Sequence, residues 1–181
     1  MSNLEGQKIY TKQLINKKVR IPFAQLSNSV EKIFKEYAQQ FITGKCSKEG
    51  YISANYIKII EYSAPQCVSS DAIYDVLYEF EVYNPYEGQE LNAKVSNITK
   101  IGIKAVISSN NRNNPATIFA SRLHNEHVIM KDDNLEIENL EHSLDNIYSE
   151  NDIIRIQVIG YRFEINDTSV YILGKIIDKN K

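Results

Sequence analysis

Tryptophan is absent from this chain of 181 residues, and only two cysteines, four prolines and seven glycines occur in it. Cys46 and Cys67 cannot build the disulfide framework of a small secreted domain, and no Cys-x-x-Cys or Cys/His spacing points to zinc. Both read as small apolar residues in a reducing compartment. Nor does any stretch approach the roughly 18 to 20 consecutive apolar residues of a membrane span, and the opening MSNLEGQKIYTK lacks the apolar core of a signal peptide. An intracellular protein without a membrane segment is expected, so the acceptor patterns Asn97-Ile98-Thr99 and Asn166-Asp167-Thr168 are chance matches.

Catalytic signatures are missing as well. The chain has no Gly-x-Ser-x-Gly, no P-loop and no Gly-x-Gly-x-x-Gly. His124 and His127 stand three apart beside Glu126 but lack further ligands in register, so they read as surface histidines. Asp132, Asp133, Glu136, Glu138 and Glu141 match no calcium loop and lack its turn-forming glycine. The expectation is a protein with no metal, no cofactor and no catalytic residues.

What is present is a folded composition, 43% hydrophobic and 24% charged, with a net charge of −2 that conceals a strong segregation. Residues 1–45 carry eight Lys/Arg against three Glu, whereas residues 131–152 carry eight Asp/Glu against one Lys. Outside that acidic stretch, residues 85–181 hold ten basic and six acidic side chains. Polyanion contact is therefore compatible with a weakly acidic total. The richness in Asn, Ile, Lys and Tyr has the flavour of AT-rich coding.

The first half predicts an antiparallel sheet around one helix. Ile9, Tyr10, Leu14 and Ile15, then Val19 and Ile21, give two short strands parted by a turn at Asn16-Lys17-Lys18 and stopped by Pro22. That makes Lys17-Lys18-Val19-Arg20 a solvated turn rather than a phosphate contact. Leu26, Val30, Ile33, Phe34, Tyr37 and Phe41 then recur at helical spacing, with Asn28 and Glu31 as a capping-box-like start and Gly44 as the stop. Gly44 to Gly50 bounds a loop leading into Tyr51-Ile52, and a further strand is expected at residues 56–61. Ala72, Tyr74, Val76, Tyr78, Phe80 and Val82 alternate with Asp75, Glu79 and Glu81 in one long strand, its tyrosines packing on the helix.

The breaker-rich Asn84-Pro85-Tyr86-Glu87-Gly88 marks a boundary, giving domains 1–84 and 85–181. After it the pattern is all β. Strands are expected around residues 91–96, 101–107, 116–120, 154–158 and 170–177, and the Asn-rich segment 110–115 reads as a polar turn. Five strands with one long excursion between the third and fourth outline an OB-fold barrel, so the fold class is α+β and mostly β. The excursion, residues 124–152, reads as a solvated acidic loop.

Two sets of residues carry a family resemblance. One is Gly44-Lys45-Cys46 and Gly50-Tyr51-Ile52, leading through an alternating strand into Tyr83-Asn84-Pro85-Tyr86-Glu87-Gly88-Gln89-Glu90. The other is residues 95–103, Ile118-Phe119-Ala120-Ser121-Arg122-Leu123, and Arg155-Ile156-Gln157-Val158-Ile159-Gly160. From about Lys8 onward this arrangement resembles the stalk subunits of multisubunit DNA-directed RNA polymerases, that is, the seventh subunit of eukaryotic RNA polymerase II and its archaeal counterpart.

The resemblance implies a non-catalytic accessory subunit. Its N-terminal tip domain would dock on the largest polymerase subunits beside the clamp and pair with a small fourth-subunit-like stalk partner, through Gly44, Lys45, Cys46, Gly50, Tyr51 and Ile52. The OB domain would lie near the RNA exit path and contact nascent RNA weakly, through Lys94, Lys100, Lys104, Arg112, Arg122, Arg155 and Arg162. Phe119, Tyr161 and Phe163 are the nearest stacking candidates. Such a subunit belongs in the nucleus if cellular, or in the host cytoplasm, viral factory and virion if encoded by a large DNA virus. A free-standing OB-fold RNA-binding protein, such as a translation factor, is the alternative.

Overall fold

A computed structural model describes residues 9–26, 29–107, 114–125, 128–131, 134–137 and 147–179. The chain divides into two compact units that meet in sequence between Asn84 and Pro85. Each is built around its own apolar core.

In the first unit, strands β1 (Thr11–Pro22), β2 (Lys45–Ser47), β3 (Gly50–Tyr62) and β5 (Asp71–Tyr83) form an antiparallel sheet in the order β1-β5-β3-β2, with β4 (Gln66–Val68) also paired to β5. Helix α1 (Val30–Tyr37) covers one face. The long strand β5 pairs with β1 along one edge and with β3 along the other, while its alternation sends successive side chains to opposite faces of the sheet. Ala72, Tyr74, Val76, Tyr78, Phe80 and Val82 are buried, with Phe34 of α1 packed edge-on against Tyr74 at 5.1 Å. The Tyr78 hydroxyl donates to the Phe34 carbonyl oxygen at 3.1 Å, fixing the helix on the sheet.

On the other face, cations of β1 meet carboxylates of β5. Lys12 pairs with Glu79 (3.8 Å), Lys18 with Asp75 (3.5 Å) and Arg20 with Asp71 (2.5 Å). A hydrogen bond from the Tyr56 hydroxyl (2.5 Å) holds the Glu79 carboxyl below its ordinary range, with Lys12 and Lys58 adding to the effect.

Two local expectations are corrected here. The turn at Asn16-Lys17-Lys18 does not exist: β1 runs unbroken through it, in register with β5 from Thr11 to Pro22. The ladder of hydrogen bonds and ion pairs to β5 outweighs the local turn preference of Asn and Lys. The apolar helical stripe also breaks before Phe41, which is 53% exposed. Residues Ala38–Ile42 wind as a π-helix, with the Thr43 N–H donating to Ala38 O, and the wider turn rotates Phe41 off the core onto Tyr37 at 5.0 Å. Asn28, the expected cap, lies outside the described residues, and the helix begins after Ser29.

The second unit is a closed barrel of β6 (Glu90–Thr99), β7 (Gly102–Val106), β8 (Ala116–Ser121), β12 (Ile153–Arg162) and β13 (Val170–Lys179), consistent with an OB-like barrel. Counted along the chain, these strands neighbour one another as one-two-three-five-four. All pairings are antiparallel except that of β8 with β13. Leu91, Ala93, Val95, Ile103, Ala105, Ile118, Ile154, Ile156 and Ile172 fill the interior. Between β8 and β12 the expected loop is in part a small sheet of β9 (Val128–Lys131), β10 (Asn134–Ile137) and β11 (Ile147–Tyr148) in the order β11-β10-β9. Short apolar runs such as Val128-Ile129-Met130 suit strands even within an acidic stretch. Asp132, Asp133, Glu138 and Glu141 of that stretch lie outside the described residues.

Candidate nucleic-acid interface

Strand alternation sorts the barrel's side chains into an inner and an outer set. Lys94 stands half-exposed between buried Ala93 and Val95, Lys104 is exposed between buried Ile103 and Ala105, and Phe119 is half-buried between Ile118 and Ala120. Tyr171 points outward between buried Val170 and Ile172, with 54% of its surface exposed.

The register brings these four together. Lys104 is in register with Phe119 on β8, and Phe119 with Leu173 on β13. In the adjacent row Lys94 is in register with Val106, Val106 with Thr117, and Thr117 with Tyr171. Lys94 and Lys104 are thus diagonal neighbours on β6 and β7, and Phe119 and Tyr171 are diagonal neighbours on β8 and β13. The result is one outward band with cations at one side and aromatic rings at the other.

Of the seven expected cations six lie among the described residues, and these six do not share one face. Only Lys94 and Lys104 share this face, and among the described residues neither has an acidic partner. Arg155 is ion-paired with Glu90, and Arg162 with Glu164 at 2.9 Å. Lys100 and Arg122 sit together at one end of the barrel, in a separate pocket. Arg112 lies outside the described residues.

The stacking candidates also divide. Phe119 belongs to the band, whereas Tyr161 and Phe163 stack on each other at the β12–β13 hairpin, with centroids 6.4 Å apart and planes at 15°. Tyr171 is the ring that sequence reading missed. It lies in a strand whose run of Val170, Tyr171, Ile172 and Leu173 looks uniformly apolar, so only the register tells the outward residue from the inward ones.

Unpaired ammonium groups beside exposed rings can neutralise phosphodiesters and stack unpaired bases, an arrangement that tolerates any sequence. Among the described residues no group of three His, Cys, Asp or Glu is placed to hold a metal ion, and no helix is long and apolar enough to cross a membrane. His124 lies exposed in a 3-10 turn, Arg122–His124, and His127 lies outside the described residues.

The expected docking loop is a hairpin. Ser47 pairs with Gly50 across a two-residue turn, Lys48-Glu49, and the Gly44 N–H donates to the Ile52 carbonyl oxygen at 2.8 Å. Cys46, Gly50, Tyr51 and Ile52 are buried, and Gly44 and Lys45 are half-exposed. The close backbone approach that Gly50 permits is to Tyr83 on the neighbouring strand. A Cβ built there would stand 2.5 Å from the Tyr83 carbonyl oxygen. The surface that the hairpin offers outward is Lys45 with Ser47, Lys48 and Glu49.

The chain matches no family model and no curated protein.

Proposed function

We propose that this chain is a non-catalytic stalk subunit of a DNA-directed RNA polymerase, whose barrel is an OB-fold that contacts nascent RNA. The observation that carries the RNA part is the outward band of Lys94, Lys104, Phe119 and Tyr171. A strand order of one-two-three-five-four with the third and fifth strands parallel is that of an OB-fold, which binds oligonucleotides on the face of its second and third strands. Here those strands are β7 and β8, which carry Lys104 and Phe119. The polymerase part rests on the resemblance described above and on its extent, a helix-backed sheet ahead of the barrel. Docking through that first unit would use the exposed side of the β2–β3 hairpin. With two cations that have no acidic partner among the described residues and one well-exposed ring, RNA affinity is weak and depends on salt.

A free-standing RNA-binding protein would use the same face, so the two readings are separated by partners rather than by RNA. Tagged protein purified from its native cells or infection at moderate salt should bring down the two largest polymerase subunits and a small stalk partner. Recovery of ribosomal proteins, or of nothing, would refute the polymerase assignment. Independently, Lys94→Glu with Lys104→Glu should weaken binding to a uridine oligonucleotide and flatten the plot of log K against log salt by about 1.4, two single-strand phosphate contacts at about 0.7 each. An unchanged slope would remove the RNA contact from this face.

A further inference from the structure

At the end of the barrel where β6 turns into β7 and β8 runs out, a pocket of about 580 Å³ is lined by Lys100, Ile101, Ser121, Arg122 and Leu123. Its walls are two turns fastened to each other and to the barrel. The Arg122 N–H donates to the Ile101 carbonyl oxygen at 3.0 Å, and the Thr99 hydroxyl donates to the Gly102 carbonyl oxygen at 2.9 Å. Gly102, at φ +152°, has no room for a side chain, because a Cβ would overlap the Ala120 carbonyl oxygen.

On the other wall the Ser121 hydroxyl oxygen accepts from the Leu123 N–H at 3.3 Å. Buried Asn125 donates from Nδ2 to the carbonyl oxygens of Ser121 (2.7 Å) and Gly174 (3.4 Å), and its Oδ1 accepts from the Ile176 N–H (2.8 Å). The 3-10 turn that presents Arg122 and Leu123 is therefore pinned to β13.

On this fixed frame Ile101 is 68% exposed and Leu123 83%. Hydrophobic stabilisation scales with apolar area removed from water, so these side chains add little to folding where they stand. Lys100 and Arg122 flank them, and among the described residues neither has an acidic partner. Among the described residues no carboxylate lines the pocket, which sets it apart from the neutralised cations of β1, Arg155 and Arg162.

Such a lining selects a ligand that is both anionic and apolar. Among the described residues it holds no aromatic ring on which a base could stack, and the Arg122 fork suits a carboxylate. We propose that this pocket docks an acidic peptide segment bearing Leu, Ile or Phe, supplied by a protein partner. Lys100 and Arg122 then serve protein docking rather than RNA contact. A preformed pocket in the size range of roughly 300 to 1,000 Å³ buries one or two anchor side chains, with the carboxylates on its rim.

The test begins with a displayed library of random 12-residue peptides, panned on the full chain and counter-selected on Lys100→Glu with Arg122→Glu. Enriched clones should carry at least two Asp or Glu beside Leu, Ile or Phe. In fluorescence anisotropy the best peptide should lose at least tenfold in affinity on the double variant. On Leu123→Ser it should lose about fivefold with its salt dependence retained, and on Lys94→Glu with Lys104→Glu it should lose nothing. These side chains are exposed, or half-exposed in the case of Lys94, and an unfolding midpoint equal to wild type checks each variant.

The proposal is overturned if no clone is enriched over the counter-selected variant, or if the enriched clones lack acidic residues. It is also overturned if a uridine oligonucleotide displaces the peptide, or if reversing Lys100 and Arg122 weakens oligonucleotide binding more than reversing Lys94 and Lys104. The last two results would return the pocket to RNA.

Discussion

Gly50→Ala tests whether the β2–β3 hairpin is held by a packing constraint inside its own unit. Gly50 has φ +122°, and an added methyl group would meet the Tyr83 carbonyl oxygen at 2.5 Å, the Asn84 Cβ at 3.1 Å and the Tyr83 carbonyl carbon at 3.2 Å. Two of those three atoms are backbone, in or beside the pairing of Tyr51 with Tyr83, so relief requires that β3 and β5 separate. Backbone strain at such a φ costs about 1–3 kcal/mol, and overpacking adds about 1–3 kcal/mol, so a loss of about 2–6 kcal/mol is expected.

Gly44→Ala is the internal control. Gly44 also has positive φ, +73°, but nothing lies within 4 Å of its Cβ position, so only the left-handed penalty of about 1–2 kcal/mol applies. Urea unfolding followed by circular dichroism, with tyrosine fluorescence free of any tryptophan signal, measures both. Equal losses for the two alanines, or a loss under about 1 kcal/mol at Gly50, would refute the packing argument. Because Gly50→Val introduces a still larger side chain, release of that variant from a partner would report damage to the unit and not a docking contact. Lys48→Glu, on the exposed turn, is the appropriate probe of docking.

Three further expectations follow from other parts of the molecule. Tyr171→Ala should leave the barrel's melting temperature nearly unchanged and cost about 1–3 kcal/mol in binding to a uridine oligonucleotide, read by anisotropy; full retention of affinity would exclude stacking at that ring. Asn125→Leu removes the acceptor of the buried Ile176 N–H and two donated bonds, a loss of about 2–4 kcal/mol that should appear as a melting temperature lower by about 5–15 °C; a shift under about 2 °C would show that the turn does not depend on this residue. Alkaline stability should also fall in a defined window. Burial, with Tyr51 next in effect, pushes the Tyr10 phenol up to about 12, and burial raises Tyr78 and Tyr83 as well. A raised folded-state pKa favours the neutral phenol, so its stabilisation is complete below the unfolded value of about 10 and is lost as pH rises from there through about 12. Phenolate absorbance should therefore rise together with loss of the circular dichroism signal, whereas titration of all the tyrosines near pH 10 with the fold intact would contradict the burial argument.

Much of the architecture was legible because periodicity reports burial. The alternation from Ala72 to Val82 specified a strand with one apolar face wherever its partners lay, and five such runs after Pro85 match β6, β7, β8, β12 and β13 to within a few residues. Local preference failed where long-range pairing opposed it, as at Asn16-Lys17-Lys18 inside β1, and where a π-turn changed the helical period before Phe41.

The candidate site was legible in composition and not in geometry. Sequence supplied seven cations, but it could not tell that Glu90 and Glu164 engage Arg155 and Arg162, or that Lys100 and Arg122 gather at the barrel end while Lys94 and Lys104 share a face. Nor could it single out Tyr171 or the clamp made by Asn125, because both depend on strands distant in sequence. Side-chain chemistry and the two-residue period of a strand are local properties, so the sequence alone determined which residues were charged, aromatic or alternately buried. Which of them became neighbours was decided by barrel closure, and in particular by the parallel pairing of β8 with β13. That pairing sets Phe119 beside Leu173 and Thr117 beside Tyr171, a register fixed by contacts no local stretch contains.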